Sequence, residues 1–108
     1  MENPIEIKDN RRSTQRFNVL LNAQFYFDNH PGYKDCTIID ISRSGASIKI
    51  SRDENAVKGT IIILEILKGL ESINLRGEIV WVTQIENGYL IGIKFGKLID
   101  SNTFKLLG

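Results

Sequence analysis

The chain has 108 residues, 42% of them hydrophobic and 25% charged, which suits one small domain with a modest core and excludes a globally disordered polymer. Its 14 Lys and Arg nearly balance 13 Asp and Glu, for a net charge of +1, so a protein built for bulk attraction to DNA or to an anionic membrane is excluded and any anion recognition must be local. Cys36 is the single cysteine, which rules out an internal disulfide and fits a reducing compartment.

Residues 1–15 are polar without a sustained period and read as a flexible N-terminal arm, with the barrel domain assigned to residues 16–108. The opening stretch MENPIEIKDN lacks the apolar core of a signal peptide, and the expectation is a soluble cytoplasmic domain. The arm ends in RRSTQRF, which gathers Arg11, Arg12 and Arg16 just before the first strand. That strand is signalled by Phe17, Val19, Leu21, Ala23, Phe25 and Phe27 on one face of a period-two run. DNHPGY, residues 28–33, carries Asn, Pro and Gly and predicts a loop. The β-branched CTIIDI (36–41) predicts a second strand, and Ala46, Ile48 and Ile50 mark one face of a third.

SRDENAVKG reads as a loop, with Asp53 and Glu54 a solvated acidic tip beside Arg52. TIIILEIL (60–67) is a fourth strand, too short to span a bilayer and interrupted by a glutamate. A turn at KGLES leads to a long fifth strand, INLRGEIVWVTQIE. Asn87-Gly88 signals a tight hairpin into a sixth strand whose apolar face holds Tyr89, Ile91, Ile93 and Phe95. Trp81, between Val80 and Val82, is expected in the core or beneath the terminal helix rather than as a stacking platform. Asp100 or Ser101 can cap a short helix carrying Phe104 and Leu107. Strands on short connections with no helix between them imply antiparallel pairing. The expected fold class is all-β: a six-stranded antiparallel β-barrel with a flexible N-terminal arm and a short C-terminal helix.

Enzymatic chemistry finds little footing. His30 is the sole histidine, in the Pro/Gly loop, and reads as a surface residue; Cys36 reads as a half-buried thiol rather than a nucleophile. No ligand spacing for a metal and no phosphate-cradling glycine loop is present, so no catalytic residue, metal or cofactor is expected. The arginines differ. Arg12 and Arg16 stand four apart, so one turn brings two guanidinium forks to one side, able to grip phosphate or the O6/N7 edge of guanine. A solvated arm explains that spacing equally simply. In DISRSG (40–45), Asp40 and Ser42 alternate on one strand face and Gly45 permits a tight turn. A carboxylate there can accept N1–H and N2–H of guanine, although a turn bonding its own backbone would use the same residues. The two stretches complement one another on a single ligand: cationic forks for phosphate, a carboxylate for the opposite purine edge.

R-x-x-x-R at Arg12 to Arg16 followed by D-x-S-x-x-G at Asp40 to Gly45 resembles the PilZ domain, and GEIVWV and GYLIGIKF resemble the family's closing strands. The resemblance spans roughly residues 10–107. It implies a barrel that binds cyclic di-GMP. Carried over by position, Arg12 and Arg16 would hold phosphates and guanine edges, while Asp40, Ser42 and Gly45 supply the barrel half of the site. Arg11, just before the first motif arginine, suits an intercalated ligand dimer, and Arg43 on the turn either approaches a phosphate or remains an exposed charge. The implied function is a non-enzymatic receptor that orders its arginine arm on ligand binding and signals to an effector protein, with motility or exopolysaccharide machinery fitting the family. Two other classes compete: a protein-interaction module without nucleotide binding, and a small barrel for single-stranded nucleic acid. Near-neutral charge and core-like aromatics argue against the latter, and neither nucleic acid nor membrane insertion is expected.

Overall fold

The computed structural model describes residues 17–107. Six strands run β1 (Phe17–Phe27), β2 (His30–Ile41), β3 (Gly45–Ile50), β4 (Ile61–Lys68), β5 (Glu71–Ile85) and β6 (Gly88–Phe95), followed by helix α1 (Ser101–Leu107). They close a barrel in the order β1-β2-β3-β6-β5-β4, every neighbouring pair antiparallel. Closure comes where residues 24–27 of β1 pair with residues 62–65 of β4. The alternation of apolar residues supplies the interior. Phe25, Phe27, Ile38, Ile48, Ile62, Leu64, Ile79 and Ile91 are all at most 1% exposed. Each such side chain is worth about 1.5–3 kcal/mol of transfer free energy, so these β-branched and aromatic positions fix which face of each strand points inward.

The first hairpin is tighter than its sequence suggests. Phe27 pairs with His30 across a two-residue turn at Asp28 and Asn29, so β2 begins inside the stretch expected to be a loop. A register shift between Phe25 and Phe27, together with a φ of 116° at Gly32, absorbs the irregularity. Pro31 is tolerated beside that shift, where the ladder is already broken. The β5–β6 turn comprises Glu86 and Asn87, with Ile85 paired to Gly88, so Gly88 opens the strand rather than completing the turn.

The loop between β3 and β4 is anchored rather than simply solvated. Ala56 is buried, and the Asp53 carboxylate accepts hydrogen bonds from Lys34 and from the Asn55 amide. Burial by itself would raise the Asp53 pKa; the bonds from Lys34 and Asn55 outweigh it and hold the carboxyl below its ordinary value. At the other end, Asp100 caps α1. It accepts from the Thr103 amide at 2.9 Å and the Thr103 hydroxyl at 2.9 Å, and those bonds lower its pKa. Leu107 is buried and Phe104 packs partly against the core, which seats the helix on the barrel as expected.

Candidate functional site

Two local irregularities in the ladder build the site. Between Ile38 and Asp40 the register of β2 against β3 shifts by one residue: Ile38 opposes Ile48, then Asp40 opposes Ser47 and Ile41 opposes Ala46. Ile38 and Ile41 both point into the core, which strict alternation forbids, and Asp40 is thereby left on the outer, half-buried surface. β5 does the same between Ile79 and Trp81. Ile79 faces inward opposite Ile93, Val82 continues inward opposite Ile91, and Trp81 is turned outward opposite Gly92.

Trp81 therefore departs from the expected core position. It is 40% exposed, and its indole lies on the backbone of Gly92, where any Cβ would overlap the ring. Read as pure alternation, the sequence assigns Trp81 to the face of Ile79; the bulge at Val80 is what reverses it. The residue lines a hollow of about 450 Å³ together with Asp40, Ser44, Gly45, Gly92 and Lys94. An aromatic face, a carboxylate, a hydroxyl and an ammonium group thus border one concavity.

The DISRSG turn divides its labour. β2 ends at Ile41, so Ser42 lies beyond the strand and does not share an outer face with Asp40. Ser42 is 2% exposed, and its hydroxyl accepts the Ser44 and Gly45 amides, both at 3.2 Å, while lying 3.3 Å from the Gly45 carbonyl. That is a serine folding its own turn. Gly45 is required by close packing, because a Cβ would overlap the Ile93 carbonyl of β6. Arg43 is half-buried, and its Nε donates to the Ile99 carbonyl while the Ile99 amide donates to the Arg43 carbonyl at 2.9 Å. The arginine is thus bound to the segment leading into α1 instead of standing free on the turn.

Arg11, Arg12 and Arg16 lie outside the described residues. Their attachment point is nevertheless fixed: Phe17 pairs with Ile41, and Asn18 pairs with Asp40 itself. Arg16 is covalently joined to a residue one register position from Asp40.

The sole histidine and the sole cysteine are kept apart by position. His30 pairs with Phe27 and Cys36 with Ala23, four positions apart on β1 or about 13 Å, too far to act as base and nucleophile. Burial, reinforced by the Asp35 charge, pushes the Cys36 thiol up to about 12, the opposite of activation. Among the described residues no three His, Cys, Asp or Glu are grouped to hold a metal, and no helix is long and apolar enough to cross a membrane.

A family model described as the PilZ domain matches residues 10–108. Among solved structures, the chain is similar to the Bacillus subtilis inhibitor of motility (MotI/DgrA), with a TM-score of 0.69 and 14% identity over 90% of this chain and 48% of that one. It is similar to the PilZ domain of CeSA from a cellulose-synthesizing bacterium, with a TM-score of 0.61 and 19% identity over 86% of this chain and 91% of that one. It also resembles Borreliella burgdorferi PlzA, solved in complex with c-di-GMP, with a TM-score of 0.59 and 19% identity over 91% of this chain and 40% of that one. At such identities these three likenesses bear on the fold alone, and the chain spans about half or less of MotI and PlzA. No curated protein matched.

Proposed function

Because the chain belongs to the PilZ domain family, we propose that it is a non-enzymatic receptor for cyclic di-GMP, the ligand present in the PlzA complex. The observation that carries the reading is the pairing of Asn18 with Asp40, which ties the arginine-bearing segment to the rim of the hollow. In this reading Arg12 and Arg16 bring guanidinium groups to the phosphates and the O6/N7 edge of a guanine. Asp40 accepts from the N1–H and N2–H edge, and Trp81 offers its outer face to the purine ring. Arg11 supports a second, stacked ligand. Ser42 and Gly45 shape the turn that holds Asp40 in place, and Arg43 ties that turn to the helix.

The energetics suit an arm that becomes ordered on binding. Charge-assisted hydrogen bonds contribute about 1.5–3 kcal/mol each, and fixing a residue of backbone costs about 1–2 kcal/mol, so four or five such bonds outweigh the ordering of a few arm residues. The output is a changed surface presented to an effector protein, and a soluble intracellular setting fits a cytoplasmic second messenger. Isothermal titration of cyclic di-GMP into the full chain and into Arg16→Ala tests the reading. Heat from the native chain and its loss in the variant are expected. No heat from the native chain overturns the receptor reading, and binding of an oligonucleotide with steep salt dependence would favour the nucleic-acid alternative.

A further inference from the structure

One lateral row of residues crosses the barrel through the Asp40 hollow. Asn18 of β1 opposes Asp40 of β2, Asp40 opposes Ser47 of β3, Ser47 opposes Gly92 of β6, and Gly92 opposes Trp81 of β5. Ser47 holds the middle of that row, with the carboxylate on one side and the glycine that carries the indole on the other. Its neighbours Ala46 and Ile48 point into the core at 2% and 0% exposure, so alternation turns Ser47 outward, the same way as exposed Lys49 two residues on. Ser47 is nevertheless only 8% exposed, and it lines the hollow. Among the described residues its hydroxyl has no hydrogen-bond partner, whereas the other buried serine, Ser42, bonds its own turn. A buried hydroxyl without a partner is costly to folding, which marks the position as one that a bound molecule completes.

We propose that Ser47 is a specificity-determining contact for the 2-amino group of a bound guanine. The assignment rests on the receptor reading and deepens it. A carboxylate at Asp40 accepts N1–H and one N2–H, which leaves the second hydrogen of the exocyclic amine in need of an acceptor. Directly opposed residues of antiparallel strands stand with their Cβ atoms about 4.5–5.5 Å apart, so the Ser47 hydroxyl is the next acceptor beyond the carboxylate. The indole lies on Gly92, one strand further on. A base stacked on that ring with its amino edge towards Asp40 therefore passes over Ser47. Adenine and hypoxanthine carry no 2-amino group, so the hydroxyl favours guanine over both. Ser47 stands two residues beyond the DISRSG stretch, where a lone serine on a strand carries no signal in the sequence. Its burial without a partner is what singles it out.

Isothermal titration of cyclic di-GMP and of its inosine counterpart, cyclic di-IMP, into the native chain and into Ser47→Ala tests the assignment. Loss of one neutral hydrogen bond is expected to raise the Kd for cyclic di-GMP about 2- to 12-fold, while cyclic di-IMP, which lacks the amine, binds both chains alike. Because the hydroxyl bonds nothing among the described residues, Ser47→Ala is also expected to melt no lower than the native protein. Equal affinity of the two chains for cyclic di-GMP overturns the assignment and leaves the receptor reading standing. A loss of the same size for both ligands does likewise. An alanine variant that melts below the native chain shows the serine serving the fold and overturns the assignment too. If the native chain fails to bind cyclic di-GMP, the receptor reading falls and this contact falls with it.

Discussion

Trp81→Ala is the substitution that best separates the geometry of the hollow from mere resemblance. The indole lies against Gly92 while Trp81 stays 40% exposed on the hollow, which leaves ring surface for a base. Stacking of a base on an aromatic side chain is worth about 1–3 kcal/mol by alanine substitution, which converts to a rise in Kd of about 5- to 150-fold. The ring is 40% exposed, so its removal also uncovers part of the β6 backbone, and a melting curve is needed beside the binding curve. Trp81→Phe keeps an aromatic face and is expected to recover most of the affinity. Isothermal titration of cyclic di-GMP into the native chain and both variants measures the difference. The chain's only tryptophan should report the same event by a change in its emission. An alanine variant that melts like the native protein and binds within twofold of it would refute the stacking role assigned to Trp81.

Ser42→Ala strips a buried acceptor from two turn amides and is expected to cost about 1–3 kcal/mol, read as a lower urea midpoint; coincident midpoints would show that the hydroxyl is not holding the turn. Gly45→Ala forces a methyl against the Ile93 carbonyl, and a loss of about 1–3 kcal/mol in the same assay is expected from the overpacking, with an unchanged midpoint refuting the close approach. Cys36 should resist thiol reagents at pH 8 in the native chain and react fully in urea. Its thiol is raised from 9.0 to about 12 on folding, so its contribution to stability is whole below pH 9 and is lost as pH rises towards 12, when the unfolded chain ionises first. Native and Cys36→Ala chains compared across that interval should converge as the pH climbs, and parallel stability curves would exclude the linkage.

The strands, their order along the chain and the capped terminal helix were legible because burial enforces period two along most of each strand. Legibility failed where the ladder slips. Nothing in IVWV announces the bulge at Val80, so Trp81 reads as core until the partner strand is known, and only Gly92 opposite it hints at a slot for a large ring. The end of β2 at Ile41 separates Asp40 from Ser42, which share a face in the sequence but not in the barrel. DNHPGY misled for a different reason: residues that favour loops in isolation were recruited into β2 because Phe25 and Phe27, committed to the core, bring the opposite chain into pairing. Arg43 could not be placed at all from its neighbours, since its partner Ile99 is 56 residues away.

The reciprocal bonds between Arg43 and Ile99 have a mechanical consequence. The turn and the pre-helical segment each donate to the other, so shifting one without the other would sacrifice both contacts. The lip beside Asp40 and the foot of the helix, more than fifty positions apart along the chain, are thus joined through one side-chain bond and one backbone bond.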